Sequence, residues 1–105
     1  MTGQFVKVGS LQEFEEGHIR RFIIEGRDII LVKHDGQIYA LDDLCTHDGG
    51  SLSDGSIKNN DLVCPRHGAR FDIKTGAPTG MPAVAGITTY EIKIENDQIY
   101  VAIDE

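Results

Sequence analysis

Several residue types are scarce or missing, and each shortage narrows the function. The chain has no tryptophan, two cysteines, three prolines and only 7 % aromatic residues. Two cysteines are too few for a disulfide-built scaffold, which packs several bridges into a short chain. No apolar run approaches about 18 residues, so no membrane-spanning helix is expected. Bases are outnumbered, ten against 17 acids, for a formal net charge of −7. Phosphate binding needs clustered Lys and Arg, so this balance argues against nucleic acid and against an anionic membrane surface as partners. No G-x-G-x-x-G or Walker pattern is present; Gly49, Gly50, Gly55, Gly68, Gly76 and Gly80 read as loop geometry and not as a phosphate cradle. There is no long helical periodicity, no repeat and no low-complexity tract.

What is present is ordinary for a folded protein. At 105 residues and 40 % hydrophobic content the chain reads as one domain, residues 1–105. The acidity fits solubility, or a partner with a basic patch toward which encounter is steered. The first residues, Met1 to Phe5, lack a basic region followed by an apolar stretch, so the expected compartment is the cytoplasm. In such a reducing compartment two cysteines read as metal ligands or catalytic groups.

Apolar–polar alternation dominates both ends of the chain. Phe5, Val6 and Val8 read as a strand; Leu11 to Glu16 reads as one helical turn or a loop, with Ser10 as a possible cap. Ile19 to Ile24, Asp28 to Lys33 and Gln37 to Leu41 form a predicted three-strand meander, turned at Glu25-Gly26-Arg27 and Asp35-Gly36. Thr88 to Ile94 and Gln98 to Ile103 form a predicted terminal hairpin about Glu95-Asn96-Asp97. Between them, from Asp42 to about Gly80, the chain is rich in Gly, Asp, Ser and Pro, with short strand signals at Ile57, Leu62 to Cys64 and Phe71 to Ile73. A loop-rich stretch of this length needs an anchor, and a metal site would supply one. The expected architecture is all-β, a small antiparallel sandwich or barrel carrying a loop-rich insertion.

The anchor candidates are Cys45-Thr46-His47 and Cys64-Pro65-Arg66-His67, a C-x-H and a C-x-x-H separated by 16 residues. Each offers one thiolate and one imidazole. One intervening residue strains chelation of a single ion, since hairpin zinc sites use two or more. Aiming Cys and His at two different metals relieves that strain, and a two-iron cluster with Cys₂ on one iron and His₂ on the other needs this arrangement. A zinc site is the other reading of the same four residues.

These motifs resemble those of the Rieske iron–sulfur proteins, and most closely the small Rieske-type ferredoxins of bacterial multicomponent dioxygenases. Cys45-Thr46-His47 matches the family's first ligand loop and Cys64-Pro65-Arg66-His67-Gly68 its second. Phe71-Asp72 and Thr75-Gly76 match the residues that follow, and Gly80-Met81-Pro82-Ala83 resembles the Gly-Pro-rich loop over the third side of the cluster. Met81 departs from that pattern, where relatives often carry another Pro. The resemblance implies a Rieske-type fold with a basal β part at about 1–41 and 83–105 and a cluster-binding part at about 42–82. It implies one [2Fe–2S] cluster, with Cys45 and Cys64 on the inner iron and His47 and His67 on the outer. It further implies a one-electron carrier and not an enzyme, expected as a monomer, between an NAD(P)H-dependent flavoprotein reductase and a terminal Rieske oxygenase. The small Rieske subunit of an assimilatory nitrite reductase is the alternative.

Relatives in respiratory complexes carry two further cysteines, joined as a disulfide, where Gly50 and Arg66 stand here. They also place hydroxyl donors to the cluster sulfurs where Ala69 and Phe71 stand. Losing such donors lowers the potential, so the low end of the Rieske range is expected, with Asp42, Asp43 and Asp48 as nearby acids pushing the same way. His18 and His34 read as solvated, with no ligand spacing to a carboxylate; a mononuclear iron site of two His and one carboxylate is therefore not expected. Arg66 and Arg70 flank the second loop, where they could meet a partner. Asp72 reads as a brace, and Phe71 as packed beneath the loop.

Overall fold

The computed structural model describes residues 4–46, 49–81, 83 and 85–103. Within them the chain is built of strands with one short 3₁₀ turn, as the alternation predicts. The strands are β1 (Gln4–Ser10), β2 (Ile19–Ile24), β3 (Arg27–His34), β4 (Gln37–Asp42), β5 (Ser56–Lys58), β6 (Asp61–Val63), β7 (Arg70–Asp72), β8 (Pro78–Gly80), β9 (Thr89–Tyr90), β10 (Ile92–Glu95) and β11 (Gln98–Ile103). Three antiparallel sheets result, in the orders β2-β3-β4-β9, β1-β11-β10 and β5-β6-β7-β8.

The predicted meander is β2-β3-β4. Its two-residue turns, Glu25-Gly26 and Asp35-Gly36, carry left-handed φ at both central positions, as does Asn96-Asp97 between β10 and β11. That is the type I′ pattern, whose twist suits a hairpin. Ser10 caps the 3₁₀ turn Leu11–Glu13, its Oγ accepting from Gln12 N at 3.2 Å while Glu13 Oε1 accepts from Ser10 N at 3.2 Å.

Strand β3 explains the layering. Ile29, Ile30, Leu31 and Val32 are all fully buried, so both faces of this strand are covered. Ile29 and Leu31 pack with Ile99, Val101 and Ile103 of β11; Ile30 and Val32 pack with Leu41, Leu62, Phe71 and both cysteines. One strand thus feeds two cores, the second of which reaches the metal-ligand candidates. Each such side chain stabilises by about 1.5–3 kcal/mol when fully buried.

Two expectations are corrected. Thr88 to Ile94 is not one strand: Tyr90 pairs with Ala40 of β4, whereas Ile92 pairs with Val101 of β11. The chain changes sheets at Glu91, because β4 and β11 lie in different sheets and no single ladder serves both. The loop-rich middle is also better paired than its composition implies. It contains the whole β5–β8 sheet, including β8, whose Pro-Thr-Gly sequence carries no strand signal; as the edge strand it tolerates proline.

Candidate metal centre

Cys45 lies just beyond β4 and Cys64 just beyond β6, and both thiols are free and buried. The two loops share one backbone pattern. Cys45 N donates to Gly50 O at 2.8 Å and Gly49 N to Cys45 O at 2.7 Å. Cys64 N donates to Ala69 O at 2.8 Å and Gly68 N to Cys64 O at 3.1 Å. In each loop the glycine four residues after the cysteine has φ of +76°, the left-handed region in which only glycine is unstrained. Each loop therefore turns tightly around its own cysteine. His67 stands exposed on the second loop, while His47 lies outside the described residues.

The loops are held in different ways. The second is the connection between β6 and β7, whose residues pair from Asp61↔Asp72 to Val63↔Arg70. Phe71 is fully buried beneath it, and Asp72 Oδ1 braces the turn beyond by accepting from Lys74 N at 2.8 Å and Thr75 N at 3.0 Å. Arg70 is not a bare surface cation: its Nε lies 3.2 Å from Asp61 Oδ2, across the β6–β7 pair.

The strands on either side of the first loop, β4 and β5, do not pair with each other. The loop's two ends meet instead on the carboxylate of Asp43, whose side chain is only 1 % exposed. Oδ1 accepts from Leu52 N at 2.7 Å, Ser51 Oγ lies 2.9 Å from both oxygens, and Arg21 Nε of β2 donates to Oδ2 at 3.0 Å. Burying a carboxylate costs several kcal/mol unless it is paired and hydrogen-bonded, as this one is. Side contacts join the loops to each other and to the segment after β8. Thr46 Oγ1 donates to Ala85 O at 2.7 Å, and a Cβ on Gly50 would stand 2.7 Å from the Arg66 guanidinium carbon. Met81, in the same segment, is 80 % exposed, and Pro82 lies outside the described residues.

Two buried thiols, one on each of two like loops at the edge of an apolar core, are a soft donor set that suits an iron–sulfur cluster better than a hard cation. The model of the Rieske [2Fe–2S] domain family matches residues 4–91. The chain belongs to the Rieske [2Fe–2S] family. It is 36 % identical over 101 residues to the ferredoxin component of a naphthalene 1,2-dioxygenase system from Pseudomonas aeruginosa, covering 96 % of this chain and 97 % of that one. Its fold matches the ferredoxin of carbazole 1,9a-dioxygenase from Nocardioides aromaticivorans, with a TM-score of 0.92, 30 % identity, and coverage of 96 % and 99 %. It also matches a chain in the complex of reduced oxygenase and oxidised ferredoxin of carbazole 1,9a-dioxygenase, with a TM-score of 0.88, 31 % identity, and coverage of 93 % and 92 %. The fold is thus the expected Rieske type, with one [2Fe–2S] cluster as its cofactor, and the chain is an electron-transfer protein and not a catalyst. The zinc reading is set aside.

Seen as a Rieske ferredoxin, the chain departs from several expectations at its acids and histidines. Asp43 is not a solvated acid beside the cluster loop, because Arg21 compensates it and burial removes it from water. Asp42 accepts from Tyr90 Oη at 2.5 Å; burial, then this contact, pushes the tyrosine hydroxyl above its ordinary pKa of 10.0. Asp48 lies outside the described residues. What sequence reading missed is the pairing of Asp43 with Arg21 and its hold on the loop exit; the available signal was an acid followed eight residues later by Ser-Leu-Ser. His34 is also not solvated. Its side chain is 12 % exposed, and Nε2 lies 2.8 Å from Asn60 Oδ1, so it links the β3–β4 turn to the β5–β6 turn.

Folding also brings Glu16 and Asp35 to His34, with one ligand atom of each within 4.8 Å of the others. Glu16 is already engaged, however, accepting from Asp35 N at 2.6 Å and Gly36 N at 3.1 Å, so this group latches a turn. His18 is exposed and pairs with Glu15 at 3.4 Å, in keeping with a surface role.

Proposed function

We propose that Cys45 and Cys64 hold the inner iron and His47 and His67 the outer iron of the cluster. On this reading the chain is the ferredoxin component of a multicomponent oxygenase system, taking single electrons from an NAD(P)H-dependent flavoprotein reductase to a terminal Rieske oxygenase. The observation that carries the proposal is the pair of like loops, each turned around one buried thiol, with His67 exposed on the second. When bound, the cluster supplies reversible one-electron transfer. The chain's own residues do the rest: the thiols sit in the apolar core, out of water, and the exposed imidazole edge is where a partner would approach. The division into a basal part at about 1–41 and 83–105 and a cluster-binding part at about 42–82 belongs to the same reading, and the confinement of β5–β8 to the middle stretch supports it.

The partners rest on the relatives, one a component of a naphthalene dioxygenase system and one matched in complex with its oxygenase. They favour this assignment over the nitrite reductase subunit, for which nothing speaks. No helix among the described residues is long and apolar enough to cross a membrane; a cytoplasmic monomer is the proposed state. Ala69 and Phe71, both fully buried, offer no hydroxyl to a cluster sulfur. This supports a midpoint toward the low end of the family's range of roughly −150 to +300 mV.

An EPR-monitored redox titration of the purified protein tests the reading. The expected result is a rhombic [2Fe–2S] signal, of lower average g than an all-cysteine cluster, with a low midpoint. In His67→Cys that signal is lost even if a cluster remains; an unchanged signal would mean that His67 is not a ligand. Rapid-mixing reduction by a flavoprotein ferredoxin reductase, followed by reoxidation with a Rieske oxygenase, tests the partner class. A protein inert toward both would remove the carrier role.

A further inference from the structure

Asp43 is the single charged residue among the described residues that is buried, and it lies two positions before Cys45. A carboxylate is costly to bury unless it is paired and hydrogen-bonded. What Asp43 holds is a closed ring of chain. The backbone N–H of Asp43 donates to Asp28 O at 2.9 Å, tying the entry of the first loop to β3. Its carboxylate binds Ser51 Oγ and Leu52 N at the exit. Ser51 is itself fixed, with its Oγ 2.7 Å from Ser53 Oγ and accepting from Ser53 N at 3.1 Å. Between entry and exit the chain turns around Cys45, whose N–H donates to Gly50 O at 2.8 Å.

The charge is balanced from outside the loop. Arg21, on the edge strand β2, forks between two carboxylates, Nε to Asp43 Oδ2 at 3.0 Å and Nη2 to Asp28 Oδ1 at 2.7 Å. The fork is half exposed on the arginine side and sealed on the Asp43 side, at 47 % and 1 % side-chain exposure. The attraction is therefore screened less than in a surface pair.

We propose that Asp43 is the positioning residue of the first ligand loop and that Arg21 is its charge partner, which keeps a buried negative charge beside Cys45 from depressing the potential of the centre. The inference rests on Cys45 being a ligand. Reduction adds one negative charge to the site. An uncompensated carboxylate nearby opposes it, and an uncompensated guanidinium favours it. Removing Arg21 and removing the Asp43 charge must then move the potential in opposite directions. A purely structural role, in which either change only loosens the same loop, predicts no such opposition.

The test uses the cluster-loaded protein and the variants R21Q, R21K, D43N and R21Q/D43N, each followed by EPR-monitored redox titration and by thermal unfolding. R21Q shifts the midpoint to more negative values and D43N to more positive ones. R21K, which keeps the charge, stays close to the wild type, and the double variant falls between the two single ones. D43N also releases its iron to a chelator several-fold faster, as the loop loses its closure. S51A, which leaves both charges in place, speeds that release with little change of midpoint, and serves if D43N does not fold. Shifts of the same sign in R21Q and D43N, or none in either, overturn the charge pairing. Iron release at the wild-type rate in both D43N and S51A overturns the positioning role. Failure of the underlying assignment looks different: C45S would then retain the Rieske signal of the wild type.

Discussion

The two cysteine loops have the same shape and opposite means of support. Both close with a hydrogen bond from the cysteine N–H to the carbonyl five residues on, and both pass through a glycine at φ +76°. The second loop is delivered by a hairpin: β6 and β7 pair on either side of it, and Phe71 is buried beneath. The first follows β4, with which the next strand, β5, does not pair, and a buried carboxylate joins its ends. The difference teaches that one loop geometry can be specified by backbone pairing or by a single polar side chain. The second route is the more fragile, because a ladder spreads its energy over many bonds and a buried charge concentrates it on one residue.

That contrast can be broken most forcefully at the shared core. Phe71→Ala empties the space beneath the second loop and should cost about 4 kcal/mol, the usual range for a buried phenylalanine. Denaturant unfolding of the loaded protein measures it, and a cost under 1 kcal/mol would mean that the core does not support the loop. Asp43→Ala comes next, at about 3 kcal/mol, since it orphans the Leu52 N–H and removes one arm of the Arg21 fork. Its effect should be local: hydrogen exchange should quicken at Gly49 to Leu52 and stay slow at Gly68 and Ala69. Equal quickening in both loops would show that they are not supported separately.

Gly49→Ala and Gly68→Ala sharpen the likeness instead of the difference. An added Cβ meets nothing within 4 Å at either position, so the cost is conformational alone and should be the same in both, about 1 kcal/mol each. Unequal melting-temperature losses would show that the two turns are not equivalent. The smallest effect is expected far from the loops, at Glu16. Backbone N–H groups, first of Gly36 and then of Asp35, hold its carboxyl below the ordinary 4.5. A lowered folded-state pKa gives stability that is present above the unfolded value and lost as pH falls through the folded one. Glu16→Gln should therefore melt earlier than the wild type at neutral pH, and the gap should close in acid. A gap that is constant with pH would contradict the role given to the N–H groups.

Much of this was legible from local chemistry. The meander, the terminal hairpin turns and the Ser10 cap follow from period-two alternation and from Asp-Gly or Asn-Asp at turn tips, which act over a few residues. The paired cysteine–histidine motifs pointed to the Rieske family for a similar reason: ligand spacing within a loop is a property of the chain itself. The division of Thr88 to Ile94 between two sheets was not legible, since alternation reports that a strand exists and not which neighbour it joins. Pro78 to Gly80 joined a sheet only because β7 offered an edge.

The chain by itself determined the meander, the tight turns and the family, because each of these is set by residues close together in the sequence. Only the tertiary structure decided which charges count. Asp42 and Asp43 are neighbours of one type, yet one accepts from a tyrosine at the margin and the other is sealed in the interior against Arg21, 22 residues earlier. His34 became an inter-turn link for the same reason, through Asn60. Burial and long-range pairing set the electrostatics of a group, and neither exists until the sheets have packed.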